Sequence, residues 1–308
     1  MTTIQQFHQS RFVQPLKRAT FAVGLLTLLL GNVPVAFADS SAAEALRAKY
    51  TQLAPKLANN VFKRPLVMTS VESSGALKGD IYAVTDHSFS QVSSALDGPS
   101  HWCDVLILHL NTKYCRALNG VAGTTLQVSV GKKTEEPLED AYRVNFAYRQ
   151  GQTTADYFDA RMDAKKGPLG TSDYQIVLEA VALPANKTFL HLTYSYAYGF
   201  ASKVAMQGYL ATAGSAKVGF TSVGREGDGK SSLVGGMRGV IERNTMRYYL
   251  AIDSYLDTQS LPTAEQTERR LQRWFDATEA YPLQLHEVER GAYLTMKHAE
   301  IARQQTAQ

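Results

Sequence analysis

Five polar residues crowd ten positions in the C-terminal half: Arg238, Glu242, Arg243, Asn244 and Arg247. On a helix, Arg238 and Glu242 stand four apart and can pair on a solvated face. Asn244 shares the stripe of Ile241 and Tyr248. Asn244 is therefore the residue most expected to turn inward and meet the polar head of a ligand, with Arg238 as a second candidate anchor; the alternative leaves these residues on an exposed basic face. An inward guanidinium would favour a carboxylate or phosphate. A second group, His101, Asp104, His109 and Asn111, matches no zinc spacing. It reads as capping and loop hydrogen bonds, with a general base as the sharper alternative. His191 alternates with Leu190 and Leu192, and would be a base only if it faced a cavity. No G-x-S-x-G elbow, P-loop or dinucleotide fingerprint is present, and Gly224-Arg225-Glu226-Gly227-Asp228-Gly229 lies in a polar loop. No catalytic residue, metal or cofactor is assigned.

Cys103 and Cys115 are the two cysteines, and their meaning depends on compartment. Arg11, Lys17 and Arg18 precede an apolar run from Ala19 to Leu30, and Ala36-Phe37-Ala38 supplies small residues before Asp39. This is the layout of a secretory leader cut after Ala38. The chain is then expected to be periplasmic or secreted, where an even pair of cysteines forms a disulfide. Of 32 Lys+Arg, the leader holds three, leaving 29 against 28 Asp+Glu. A nearly neutral remainder argues against nucleic acid as a partner. No later run is long and apolar enough to span a membrane.

Five alternating, tyrosine-rich strands are predicted between Thr124 and Tyr198. The last places Leu190, Leu192, Tyr194, Tyr196 and Tyr198 on one face. Upstream, Ser41–Leu57 reads as a helix, with strands near 66–73 and 79–84. A short helix over 88–96 and a further short helix or turn around Trp102 follow. Lys217–Thr221 reads as one more strand and 224–232 as a mobile loop. A long amphipathic helix runs near Gly236–Asp257, carrying Met237, Ile241, Tyr248, Ile252 and Tyr255. Charged helices after Pro262 and Pro282 read as an appended hairpin.

Strand pair, helical segment, meander and long C-terminal helix together resemble the START-like (helix-grip, SRPBCC) superfamily. The resemblance covers roughly Gly75 to Asp257 and rests on element order. It also rests on Gly79-Asp80-Ile81-Tyr82-Ala83 leading to Val92, Leu96 and Trp102. It implies an α+β fold in which a curved antiparallel sheet wraps the long helix around an apolar cavity. Four segments are expected: the leader 1–38, an N-terminal helix and strand 39–74, the core 75–257 and the extension 258–308. The preferred function is binding of a lipid or other hydrophobic small molecule, contacted by Tyr194, Tyr196, Arg238, Asn244 and Tyr248. A cyclase, hydratase or hydrolase on the same scaffold is the alternative, and would need His191, Glu179 or Glu242 inside the cavity. A third reading docks a protein partner on the C-terminal helices through Leu271, Trp274 and Phe275.

Overall fold

Alternation of apolar and polar residues builds one large antiparallel sheet. A computed structural model describes residues 36–306 apart from 122, 152, 213, 226, 228 and 230, and these fold as one unit. The chain opens with α1 (Ala36–Ala58), β1 (Leu66–Ser73), β2 (Ala76–Thr85), α2 (Phe89–Leu96) and α3 (Pro99–Leu106). The meander follows as β3 (Thr112–Gly120), β4 (Gly123–Val130), β5 (Tyr142–Gln150), β6 (Tyr157–Lys166), β7 (Thr171–Leu183) and β8 (Lys187–Tyr198). Then come α4 (Phe200–Ala211), β9 (Ser222–Arg225), β10 (Ser231–Leu233) and α5 (Gly236–Leu256). The chain closes with α6 (Thr263–Glu279), α7 (Pro282–Leu285) and α8 (Arg290–Thr306).

The eight main strands lie in the order β1-β2-β8-β7-β6-β5-β4-β3. Every pairing but one joins chain neighbours. The exception is the β2–β8 seam, where Ile81 faces Leu192 and Gly79 faces Tyr194. Period-2 alternation sets which side is buried. In β5, Val144, Phe146 and Tyr148 point into the core while Arg143, Asn145 and Ala147 are exposed. α5 lies against β1, β2 and β8. It comes close to β2 at Gly79, where Thr245 leaves no room for a side chain. Ile81, Leu178, Leu192, Ile241 and Ile252 are each at most 1% exposed in this shared core. Burial of each such side chain contributes about 1.5–3 kcal/mol.

The opposite face of the sheet is covered too. Leu46, Leu53 and Leu57 of α1 pack on Val67, Val181 and Phe189 in a second apolar cluster. α2 starts with a capping box between Ser88 and Gln91, which satisfies two otherwise orphaned donors. The expected disulfide is present: Cys103 of α3 is bonded to Cys115 of β3, with Cα atoms 5.2 Å apart.

Three expectations change. β3 was not foreseen, because its alternation is broken by a register shift between Thr112 and Tyr114 that tucks Lys113 inside. Residues 217–221 form no strand, and the loop expected at 224–232 instead lies within the β9–β10 hairpin. The C-terminal helices join the main core instead of exposing an apolar stripe. Leu271, Trp274 and Phe275 are 0%, 1% and 7% exposed, and Trp274 stacks on Tyr293 with centroids 5.0 Å apart.

Candidate functional site

The inner face of β7 and β8 carries tyrosines because alternation sends every second residue toward α5. Tyr194 and Tyr196 are buried, and Tyr248 reaches down from α5. Tyr194 meets Tyr248 edge-on with centroids 5.0 Å apart. Tyr174 stacks on Tyr196 at 5.1 Å, and Phe146 closes the cluster against Tyr174. The Tyr174 hydroxyl donates to Thr171 at 2.9 Å. Among the described residues, no hydrogen-bond partner meets the hydroxyls of Tyr194, Tyr196 or Tyr248. Burial pushes all three phenols upward, so they stay protonated and able to donate.

His109 extends this cluster. Its ring lies against Tyr248 with centroids 4.8 Å apart and the residue is 3% exposed. It sits midway along the loop closed by the disulfide. The main-chain N–H of Asn111 donates to His109 Nδ1 at 3.1 Å. Asn111 is itself fixed, its side chain donating to the Gly131 carbonyl at 2.5 Å and its own carbonyl accepting from Gly131 at 2.7 Å. A backbone N–H can only donate, so in the neutral ring the proton is on Nε2. That atom is buried and has no partner. Burial, and then the positive charges of Arg247, Lys297, Lys133 and Lys113, hold the imidazole well below its usual pKa, so it stays neutral.

A charged pair flanks the cluster. The Arg247 guanidinium donates to Glu287 at 2.8 Å and to the Leu285 carbonyl at 3.3 Å. It also reaches Asn244 Oδ1 at 3.3 Å. Burial alone would raise the Glu287 carboxyl, but Arg247 and Lys133 outweigh it and hold it low.

An antiparallel sheet joined across a β2–β8 seam, two short helices after β2 and a long helix packed on the inner face decide the architecture. The fold is a helix-grip. No family model and no curated protein sequence matches the chain. Among solved structures it is similar to the human StAR-related lipid transfer protein 5, at 9% identity, 57% of this chain, 90% of that one and a TM-score of 0.30. It is similar to the Zhui aromatase/cyclase of a Streptomyces, at 12% identity, 70% and 95% coverage and a TM-score of 0.29. It is also similar to norcoclaurine synthase from Thalictrum flavum, at 14% identity, 46% and 76% coverage and a TM-score of 0.28.

Of the residues singled out in the sequence, the helix-grip core brings Tyr194, Tyr196 and Tyr248 together, with Asn244 one turn from Tyr248 beside Arg247. Arg238 stands ten residues before Tyr248, about 15 Å away along the helix. It donates to Ser70 of β1 at 3.0 and 3.2 Å and lies 4.0 Å from Glu242. Glu242 is fully buried and accepts from the backbone N–H groups of Phe220 and Thr221 at 2.6 and 2.9 Å. It anchors the segment before β9.

His191 lies on the outer face, not the inner one. Its two ring nitrogens meet Asp80 at 2.9 Å and Glu179 at 2.8 Å, and its ring stacks on Tyr82 at 4.2 Å. His101 and Asp104 part from His109: Asp104 meets Arg270 at 3.2 Å and His101 lies near Tyr255. No three metal-ligating side chains converge among the described residues.

Sequence reasoning missed a concavity of about 740 Å³ below the inner core. Arg64, His87, Asp253, Asp257 and Tyr281 line it. Within it Arg64 meets Asp253 at 2.7 Å and His87 meets Asp257 at 2.9 Å. Arg64 and Asp253 lie 189 positions apart, and no local signal links them.

Proposed function

We propose that this START-like protein binds a lipid or other amphipathic small molecule between its sheet and α5, outside the cytoplasm. The observation that carries this is His109 Nε2, a buried donor without a partner, set against Tyr248 beside the inward-facing Tyr194 and Tyr196. A buried donor left unpaired costs about 1–3 kcal/mol. A ligand carrying oxygen atoms would relieve that cost while turning the Tyr248 ring aside. Burying about 300 Å² of its apolar surface at about 25 cal/mol/Å² adds roughly 7 kcal/mol before binding costs. Few polar anchors are then needed.

The enzyme reading is weaker. Of the groups it names, His191 and Glu179 lie on the outer face and Glu242 is occupied by backbone donors, which leaves His109, held neutral, as the inward titratable group. The protein-docking reading through Leu271, Trp274 and Phe275 has lost its exposed stripe.

Export is part of the proposal. The leader reading falls on residues 1–38, of which 1–35 lie outside the described residues. The disulfide supports an oxidising compartment. Native mass spectrometry of protein purified from the host's envelope, followed by solvent extraction, tests both parts. A mature chain beginning at Asp39 with a co-purified lipid is expected. An uncut chain speaks against export. No lipid, together with no uptake of apolar probes, speaks against binding.

A further inference from the structure

The polar end of the ligand has a definable chemistry, and this rests on the binding reading above. We infer that His109 Nε2–H, beside Tyr248, receives an uncharged oxygen acceptor of the ligand: a ketone or ester carbonyl.

Three observations carry this. The Asn111 N–H fixes which nitrogen bears the proton, so His109 is a donor in its neutral state. The donor is buried and unpartnered at the edge of the tyrosine cluster. The loop that holds it is rigid, because the disulfide brackets it and Lys297 donates to the His109 carbonyl at 2.7 Å. The adjoining guanidinium of Arg247 is engaged by Glu287, so a carboxylate ligand would have to compete with that pair. A neutral acceptor takes the Nε2–H without disturbing it.

The experiment uses the full chain with ¹⁵N-labelled histidine. Two probes of equal chain length are compared, 2-tridecanone and tridecane, by displacement of bound N-phenyl-1-naphthylamine. The ketone is expected to bind about five- to tenfold more tightly, as one buried hydrogen bond allows. It should shift the His109 Nε2 resonance, while Nδ1 keeps its acceptor signature and tridecane leaves both unmoved. In H109F the ketone preference should fall to about one, and in H109Q, which keeps a donor at similar reach, part of it should return. Thermal unfolding of both variants checks that they fold, and the wild-type resonance arm depends on neither. Equal binding of both probes with an unmoved Nε2 overturns the assignment of His109 and leaves the carrier reading standing. Failure of both probes to displace the dye overturns the carrier reading itself.

Discussion

Lys297 of α8 donates its ammonium to the main-chain carbonyl of His109 at 2.7 Å. The C-terminal helix therefore holds the loop that presents the unpartnered imidazole. The same ammonium meets the Thr112 carbonyl at 2.8 Å and Glu300 at 2.7 Å, and Lys113 meets Glu300 from the other side at 3.1 Å. Both lysines are fully buried. Burial lowers the Lys297 pKa to about 8, against the opposing pull of Glu300.

Lys297→Met keeps the stem and removes the charge. Two carbonyls lose their donor and Glu300 keeps only Lys113. Breaking a buried pair from one side costs about 3–5 kcal/mol. Urea unfolding should show a loss of that size, and a loss below 1 kcal/mol would mean that α8 is not anchored this way.

Reduction of the Cys103–Cys115 bond should lower stability by about 3 kcal/mol, the value for a loop this short in the chain-entropy model. It should also broaden the His109 resonances, because the bond closes the loop around that ring. Melting with and without dithiothreitol measures the first effect, and a histidine-labelled spectrum the second. An unchanged melting temperature would show that the surrounding packing holds the loop alone.

The outer-face histidine gives a pH prediction. Burial alone would lower the His191 pKa, but hydrogen bonds to Asp80 and Glu179 outweigh it and hold it above 6.5. Both carboxyls sit below their ordinary values of 3.8 and 4.5. A raised imidazole contributes stability below its unfolded pKa and loses it as pH rises through the folded one. The depressed carboxyls contribute above their unfolded values and lose it in acid. The clamp is therefore complete between about pH 4.5 and 6.5 and weakens on the alkaline side. His87 beside Asp257 has the same sign. His109, held neutral, has the opposite sign below 6.5. Urea midpoints from pH 5 to 9 should decline less steeply above 6.5 in H191Q than in the native chain; parallel curves would refute the clamp.

Trp274→Ala should cost about 3–5 kcal/mol, since it empties a fully buried indole site and leaves the Arg247 carbonyl without its donor at 3.1 Å. A chain ended after Asp257 loses that indole and Tyr293 together, and should show no cooperative melt. A folded truncation product would mean that the C-terminal helices are an independent addition after all.

What the sequence made legible was periodic. The strands of the meander, the long helix α5 and the cysteine pair each have a local signature, and each appears in the fold. What stayed hidden depends on partners far along the chain. Lys113 reads as a surface lysine until Glu300 arrives from 187 positions away, and Arg247 reads as a solvated face until Glu287 closes on it. The bulge that buries Lys113 also broke the alternation that would have revealed β3. Tyr194, Tyr196 and Tyr248 could be placed on one side by counting residues. The donor state of His109 could not, because it is set by one backbone N–H of Asn111 in a particular loop geometry.

The β2–β8 seam also sets the order in which this chain can fold. Asp80 and His191, which meet across it, are 111 positions apart. The β1–β2 hairpin is made early but has no sheet to join until β8 has been laid down, whereas β3 to β8 can zip together neighbour by neighbour. Closing a seam between strands this far apart carries a loop-closure cost that the neighbour pairings do not, and slows that step. If the leader directs export as proposed, that delay is useful: the β1–β2 hairpin has no sheet to join while the chain is still being threaded through a membrane.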